Sequence, residues 1–310
     1  MNTMDILDDI FTTLGLKGAL YFRTDFCAPW GVTVPHHEGV ARFHLVIQGR
    51  CFVRVNDSTC IELHAGDLIM IPRGMQHELL DSPDASAPPL EEVLHETGYT
   101  GAGVLTVGEG DSRATTQMVC GHLSFRKQAD HPILQILPSY LLMANSCRAK
   151  HPLLDNIMRL ITQRIFDDQL GAAASITRLS EIVFIELLKA GISETPQLLS
   201  LLEGFNDPKI GKSLQLIHEQ LDNSWTVESL ATEVAMSRSR FAYRFNELIG
   251  VGPMAYLSDW RLQKAGALLE QSRMSVQQIA SRTGYQSASS FTRAFTGKFG
   301  MAPREFRQIA

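Results

Sequence analysis

The chain has 310 residues, of which 45% are hydrophobic and 20% are charged, with 28 Lys and Arg against 33 Asp and Glu and a formal net charge of −5. This length predicts about two domains, and the apolar content excludes a mainly disordered chain. Since no apolar run approaches the roughly 18 residues of a membrane span and the acidic first residues are unlike a signal peptide, we expect a soluble, cytoplasmic protein.

The charge is distributed unevenly along the chain. Residues 205–310 hold 13 Lys and Arg against 9 Asp and Glu, a net +4, whereas residues 1–204 hold 15 against 24, a net −9. A basic segment behind an acidic one hints at a part that faces nucleic acid. All five cysteines lie in the acidic segment, and scattered cysteines in an intracellular chain are expected to be reduced thiols rather than disulfides.

Taken from the N-terminus, the pattern changes from helical to β-type. Residues 5–16 carry apolar side chains at helical spacing and predict a short amphipathic helix. Alternating or β-branched runs, broken by Gly, Pro, Asn and Asp, then predict several short strands. The clearest of these are residues 42–48, 51–55, 67–71 and 116–125. Closely spaced short strands favour a sandwich or barrel, which we place in residues 1–130.

Helical patterns replace the strands after residue 130. Apolar side chains recur every three to four residues through 153–165 and again through 176–188, which predicts two amphipathic helices. We assign residues 131–204 to a helical connector, whose apolar faces either form a homodimer contact or pack on the β-rich domain. The stretch 204–208, which contains Gly and Pro, is the predicted linker to the C-terminal domain, residues 205–310.

The C-terminal third contains an internal repeat. The stretch from Thr226 aligns with the stretch from Ser275 at an offset of 49 residues, and later positions align at an offset of 50. In each copy a Ser or Thr N-cap precedes a short helix, a tight turn follows, and two phenylalanines four residues apart anchor a second helix. The units, at about 227–248 and 276–298, each predict a helix-turn-helix. Two copies in register favour DNA binding over a helical bundle with a basic solvated face.

The exposed face of each second helix carries small and basic side chains that suit the major groove, where arginine reads guanine and hydroxyls read several base edges. These candidates are Arg238, Ser239, Arg240 and Tyr243 in the first unit, and Ser289, Thr292 and Arg293 in the second. The apolar spacing of residues 253–271 predicts one rigid helix between the units. The second helices of the two units, which we call the readers, would then enter successive major-groove segments about one turn, roughly 10 bp, apart.

These patterns resemble the AraC/XylS family of bacterial transcription regulators. The resemblance covers about residues 206–310 and is carried by 225–231 (WTVESLA), 252–257 (GPMAYL), 284–287 (GYQS) and 299–303 (FGMAP), among others. It implies promoter DNA and RNA polymerase as partners. It also implies base-reading positions at Ser239 and Tyr243 in the first unit and at Ala288, Ser289 and Arg293 in the second, with flanking arginines mostly on phosphates.

The β-rich domain contains motifs of a different kind. Residues 66–77 (GDLIMIPRGMQH) fit the spacing G(x)5PxG(x)2H of the second cupin motif, whereas the first motif, in residues 30–49, keeps His36 and His37 but has Arg42 at its carboxylate position. The domain resembles the cupin-like sensor modules found ahead of AraC-type DNA-binding regions. The predicted fold class is therefore α+β, with a cupin-like β-barrel, a helical connector and an all-α double helix-turn-helix.

Four side chains with metal-ligating or hydrogen-bonding groups could converge inside the barrel. They are His44, His77, Cys120 and His122. Such a set suits zinc or another divalent metal, but the same side chains could line a pocket for an organic effector. A third interpretation is a thiol-based oxidant sensor at Cys27 and Cys120, which requires accessible thiols of low pKa. The remaining three cysteines, Cys51, Cys60 and Cys147, are predicted to be buried apolar side chains.

Two functions stay open at this point. We predict a sequence-specific transcription regulator and favour an activator over a repressor. A small molecule, metal or oxidant would control it through the cupin-like domain. The alternative is a metal-dependent cupin enzyme joined to a DNA-targeting module. The arginine at the first-motif carboxylate position disfavours the enzyme, so we predict a protein without catalytic activity.

Overall fold

The computed structural model describes residues 5–101, 103–108, 115–129, 131–165, 170–190 and 196–309. The chain divides into two compact units, each assembled from separate stretches of sequence. The β-rich unit comprises Lys17–Ser124 and Leu137–Glu194, and the helical unit comprises Met1–Leu16, Phe125–Ile136 and Thr195–Ala310. The stretches Met1–Leu16 and Phe125–Ile136 thus belong to the same compact unit as the C-terminal third of the chain. The three-part division predicted from the sequence stays a prediction.

The strands of the β-rich unit, in the part of the chain that the structure describes, form two sheets. They are β1 (Lys17–Cys27), β2 (Gly31–Val34), β3 (Val40–Gln48), β4 (Arg50–Asn56), β5 (Thr59–His64), β6 (Leu68–Ile71), β7 (His77–Leu80), β8 (Val104–Val107), β9 (Thr115–Ser124) and β10 (Leu141–Met143). The larger sheet has the order β10-β6-β3-β9-β1-β8 and the smaller has β2-β7-β4-β5. The predicted strands correspond to β3, β4, β6 and β9.

Side chains from both sheets meet in one apolar core. Val46 and Met118 come from the larger sheet, and Val53, Leu63 and Leu79 come from the smaller. Successive side chains of a strand point to opposite faces, so the alternate residues of each strand supply this core. The α+β fold class with a β-rich N-terminal part is therefore confirmed.

Helices complete the β-rich unit. They are α2 (Leu90–Glu96), α4 (Pro152–Ile165) and α5 (Ala172–Lys189), with a short 3-10 helix at Asn145–Lys150. Helix α5 packs on β1, where Gly18 N–H donates to Glu181 Oε1 at 2.8 Å. A Cβ at Gly18 would lie 2.6 Å from the carbonyl oxygen of Thr177, so only glycine permits this close approach. One predicted role of the connector, packing on the β-rich domain, is thus observed for α5, and the homodimer contact stays a prediction.

The helical unit contains both predicted helix-turn-helix pairs. Its described helices are α1 (Ile6–Leu14), α3 (Pro132–Gln135), α6 (Pro196–Asn206), α7 (Ile210–Glu219), α8 (Val227–Glu233), α9 (Arg238–Ile249), α10 (Pro253–Gln271), α11 (Val276–Arg282), α12 (Ala288–Phe299) and α13 (Pro303–Ile309). Thr226 and Ser275 form capping boxes at the starts of α8 and α11. Helices α9 and α12 each end at a glycine in the left-handed region, a conformation that costs glycine little. None of the described helices combines the length and apolar content needed to cross a membrane.

The prediction of a linker at 204–208 was wrong. Helix α6 continues through Asn206, and Gly204 lies inside it. A Cβ on Gly204 would stand 2.8 Å from Cδ1 of Ile249, so the missing side chain lets α6 pack closely on α9. The glycine therefore serves a helix contact rather than a flexible connection.

Candidate functional site

The predicted side chains of the first reader lie on the solvent side of α9. Arg238, Ser239 and Arg240 are exposed, and Tyr243 is 70% exposed. The opposite side of α9 is anchored by Phe241, which is fully buried and packs edge-on against Phe245. Burial of one face fixes which side chains the helix presents, so α9 offers a rigid polar surface.

The second reader, α12, has the same organisation. Ser289 and Arg293 are exposed, whereas Thr292 is half-buried and its hydroxyl donates to the Ala288 carbonyl oxygen at 2.7 Å. That hydrogen bond uses the only hydroxyl proton of Thr292, which leaves the side chain its methyl group and an acceptor. These residues line an open groove that Arg304 also lines. The sequence pattern missed Arg304 because it lies on α13, outside the repeated helix pair.

Arg244 on α9 has a structural role instead. Its guanidinium contacts Glu247 at 2.9 Å and Asp207 at 3.3 Å, with Glu203 at 3.7 Å. A cation paired with carboxylates of its own unit contributes little to the positive field that attracts phosphates. The arginines of α9 therefore divide into one that ties α9 to its neighbours and two, Arg238 and Arg240, that face solvent.

Helix α10 connects the two readers without a break. It has 19 residues, which corresponds to about 28 Å at the rise of an α-helix. Tyr256, near its start, packs edge-on against Phe245 of α9. Leu262, at its middle, and Leu269, near its end, lie in the apolar core that contains Phe295 of α12. The predicted single helix between the readers is therefore confirmed, and its two ends pack in different reader cores.

A chain of hydrogen bonds brings together three of the four predicted barrel side chains. Nε2 of His44 lies 2.8 Å from Nε2 of His77, and Nδ1 of His44 lies 3.1 Å from Sγ of Cys120. Nδ1 of His77 donates to the Met75 carbonyl oxygen at 2.8 Å, which leaves its Nε2 as the acceptor. His44 Nε2–H then donates to His77, and the Cys120 thiol donates to His44 Nδ1. When both histidines are neutral, each proton in these three hydrogen bonds has a single acceptor.

The electrostatics of the cluster agree with these protonation states. Burial, together with the charges of His77 and Arg42, holds the pKa of His44 well below its usual range. Burial lowers the pKa of His77 to about 4. Burial, reinforced by Cys51, raises the pKa of the Cys120 thiol. At neutral pH the cluster therefore consists of two neutral imidazoles and a protonated thiol.

The fourth predicted residue, His122, lies next to the hydrogen-bonded cluster of Cys120, His44 and His77. On the paired strands β3 and β9, His122 is opposite Arg42, and Cys120 is opposite His44. His122 is half-buried, and burial and the Arg42 charge lower its pKa. The interior thus carries a buried guanidinium beside imidazoles, which disfavours additional positive charge.

The donor set does not fit a metal ion in this arrangement. Among the residues that the structure describes, no group of three or more His, Cys, Asp or Glu side chains could hold a metal. The closest ring nitrogens, on His44 and His77, share a hydrogen bond, so a metal would have to displace that proton. Metal binding stays a prediction that the geometry does not support.

The cavity beside the cluster is small and largely apolar. Its volume is about 20 Å³, enough for about one water molecule. Its lining consists of Thr24, Phe26, Val32, Val34, Arg42, His44, Leu79, Leu90, Leu105, Cys120 and Gly121. An organic effector would therefore have to open this pocket by moving side chains such as Leu90, which lies at the start of α2 and is only partly buried.

The two cysteines of the oxidant hypothesis are not brought together. Cys27 is half-buried at the end of β1, where it pairs with Thr115. Thr115 is five positions from Cys120 along β9, a distance of about 17 Å in an extended strand, so no disulfide joins the two without rearrangement. None of the five cysteines, which all lie among the described residues, is in a disulfide. Cys51 is buried as predicted, but the prediction was wrong for Cys60 and Cys147, whose side chains face solvent.

Known proteins resemble the chain over nearly its whole length. The sequence family described as "Cupin" matches residues 5–193, and the family described as "Helix-turn-helix domain" matches residues 230–309. An HTH-type transcriptional regulator of Haemophilus influenzae is 29% identical over 98% of the chain and 99% of its own length. The HTH-type transcriptional regulator AlkR of Acinetobacter baylyi is 28% identical over 98% and 99%. RclR of Escherichia coli, described as an RCS-specific HTH-type transcriptional activator, is 26% identical over 98% of both chains.

The neutral histidine cluster predicts that acid destabilises the β-rich unit. The unfolded chain binds a proton at His77 near pH 6.5, whereas the folded chain does so only near pH 4, so stability is lost as the pH falls through this window. His77 alone accounts for about 2 kcal/mol between pH 7 and pH 5. Urea unfolding at both pH values, followed by Trp30 fluorescence in a Trp225→Phe, Trp260→Phe background, measures this loss.

The matched variants are His77→Asn, which removes the buried imidazole, and His64→Asn, which removes an exposed one. We expect the acid-induced loss of unfolding free energy to shrink by about 2 kcal/mol in His77→Asn and to stay unchanged in His64→Asn. Equal losses in the two variants would contradict the neutral state of His77.

Proposed function

Because the chain belongs to the AraC family of transcriptional regulators, with a cupin domain ahead of its helix-turn-helix domain, we propose that it activates transcription by reading promoter DNA through α9 and α12. The observation that carries this proposal is the attachment of both exposed reading faces to one continuous helix, α10. Relatives aligned over their full length are named as regulators, one of them as an activator, which supports regulation over catalysis.

The exposed side chains suggest how each reader contributes. Arg293 would donate two hydrogen bonds to guanine in the major groove, and the hydroxyl of Ser289 would contact a neighbouring base edge. Tyr243, which is exposed on α9, would contact a base as well. Arg238 and Arg240 lie in the first turn of α9 and would bind phosphates, which positions the protein without reading sequence.

We further propose that the β-rich unit responds to a small molecule in the pocket beside His44. Insertion of a polar group would compete for the hydrogen bonds among Cys120, His44 and His77. The oxidant mechanism has less support, because a buried thiol with a raised pKa contains little of the reactive thiolate. A metal effector would need the same cluster to rearrange.

Strand β9 provides a covalent route from this pocket to the readers. Cys120 lies on β9, which ends at Ser124, and Arg126 follows two residues later in the helical unit. Arg126 is buried and its Nη2 donates to Oε1 of Gln263 on α10 at 2.9 Å. A shift of β9 caused by an effector would therefore act on the helix that sets the positions of both readers.

The proposal includes two partners besides DNA, a second copy of the chain and RNA polymerase. Leu153 and Leu160 on α4 and Ile182 on α5 are unusually exposed for large apolar side chains, at 56%, 46% and 42%. We propose that these side chains lie at a homodimer contact. An activator also requires contact with RNA polymerase.

Replacement of Arg293 by alanine tests the reading function. We expect Arg293→Ala to weaken binding to the specific promoter sequence by about 1–3 kcal/mol and to change non-specific binding much less. Fluorescence anisotropy with cognate and scrambled DNA at fixed salt measures both affinities. Arg178→Ala, which removes the same charge from an exposed position on α5, is the control. An unchanged ratio of cognate to scrambled affinity in Arg293→Ala would refute the assignment.

Variants of the two buried histidines, His44 and His77, test the sensing function separately. We expect His44→Ala and His77→Ala to abolish the inducing response of a reporter promoter while DNA affinity in vitro stays within about twofold, because neither residue lies in a reader. His64→Ala, at an exposed position on β5, should respond like the wild type. A normal response from His44→Ala would remove the cluster from the effector site.

A further inference from the structure

Arg261, in the middle of α10, contacts loops of both helix-turn-helix pairs. Its Nε donates to the Leu221 carbonyl oxygen at 3.0 Å, and its Nη2 donates to the Asn223 carbonyl oxygen at 2.7 Å. Both acceptors lie in the loop that leads from α7 to α8, the first helix of the first pair. The same guanidinium packs against Gly284, in the turn between α11 and α12 of the second pair. One side chain of α10 therefore contacts both pairs.

The contact with Gly284 is so close that a side chain at this position would displace the guanidinium. A Cβ on Gly284 would lie 2.5 Å from Nη2 and 2.6 Å from Cζ of Arg261. The corresponding turn position of the first pair, 49 residues earlier, is Ala235, which adopts a φ of 52°. Since alanine is accommodated in that turn, we attribute the glycine at position 284 to the room that the guanidinium needs.

Each of the two loops is tied to the helices of its own pair. The Asn223 carbonyl oxygen also accepts the Trp225 N–H at 2.8 Å, two residues before α8 begins. In the turn between α11 and α12, Tyr285 packs edge-on against Phe291, with 5.4 Å between the ring centroids. Phe291 is the fully buried anchor of the second reader. A displacement of Arg261 would therefore be felt by α8 in one pair and by α12 in the other.

The guanidinium suits both loops electrostatically and geometrically. The loops directly follow the C-terminal ends of α7 and α11, where the helix dipole concentrates partial negative charge. Apolar packing attaches each pair to α10, but the hydrophobic effect has no preferred direction. Hydrogen bonds weaken steeply when their angles change, and the planar guanidinium donates along fixed directions. Arg261 therefore adds an angular restraint that the apolar cores lack.

We propose that Arg261 is the positioning residue that sets the angle between the two readers, and thereby the spacing of the DNA half-sites that the protein accepts. Each half-site is the DNA segment read by one reader. The inference rests on the proposed reading of DNA through α9 and α12, and it assigns the half-site spacing to a side chain that acts through the two loops rather than on the bases.

DNA with altered half-site spacing tests the proposal. The probe is a duplex that the full-length wild type selects from random-sequence DNA, and a second duplex carries one extra base pair between the two protected segments. The insertion rotates one half-site against the other by about 34° and moves it by about 3.4 Å. We expect the wild type to bind the longer duplex about 30-fold more weakly, and Arg261→Met only about fivefold, because its readers adjust at lower cost.

Fluorescence anisotropy at fixed salt measures the ratio of the two affinities, and duplexes with a single half-site should bind the wild type and Arg261→Met equally. Gly284→Ala tests the same contact from the other side, because its methyl group should displace the guanidinium. We expect Gly284→Ala to reduce the spacing discrimination as Arg261→Met does, and the double variant to reduce it no further, since both changes remove one contact.

Two matched controls should keep the discrimination of the wild type. Gly300 has a φ of +72°, close to the +77° of Gly284, but a Cβ on Gly300 would meet no described atom within 4 Å, so Gly300→Ala adds the backbone strain alone. Arg244→Met removes an arginine whose ion pairs stay on the side of the first pair. Wild-type discrimination in Arg261→Met or Gly284→Ala, or an equal loss in the controls, would overturn the inference. A wild type that selects no DNA sequence would refute the reading function itself, and this inference with it.

Discussion

The packing of two helix-turn-helix pairs on one uninterrupted helix is the constraint on which the remainder of this protein depends. Helix α10 has Pro253 in its first turn and no further proline, and Gly266 lies inside the helix without interrupting it. Tyr256 at one end packs against Phe245 of α9, and Leu269 at the other lies in the core with the phenylalanines of α12. Because both cores include side chains of the same helix, neither reader can rotate without disturbing the packing of its own core.

The helical unit extends this constraint with segments from distant parts of the sequence. Asp9 on α1 accepts a hydrogen bond from His218 on α7 and is paired with Lys264 on α10. Arg126 reaches both Gln263 and Glu270 on the same helix. Buried charges are retained only where partners compensate them, so these contacts fix where α1 and residues 125–136 lie. The segments that enter and leave the β-rich unit are therefore tied to the helix that positions the readers.

The sequence was most informative where short-range chemistry decides the structure. N-caps at Thr226 and Ser275 and paired phenylalanines determine the helix-turn-helix units, since all of these act within a few residues. Alternation predicted the strands and the face that carries His44 and Cys120. The hydrogen bonds within that cluster could not be predicted, because the distance between His44 and His77 depends on how strands distant in sequence are placed.

Other features could not be predicted from local sequence patterns, because they too depend on residues that are distant in the sequence. Composition suggested a flexible linker at Gly204, but its role depends on Ile249, which is 45 residues away. The joining of Asp9 to His218 spans more than two hundred residues. Such features follow from tertiary packing, which no single window of the sequence contains.

Helix α10 is expected to hold the two readers at a fixed spacing on one face of DNA. Hydroxyl-radical footprinting of the full-length protein on a promoter fragment selected for tight binding tests this expectation most directly. We predict two protected segments on the same face of the duplex, about one helical turn or roughly 10 bp apart. A single protected segment, or two segments on opposite faces, would contradict it.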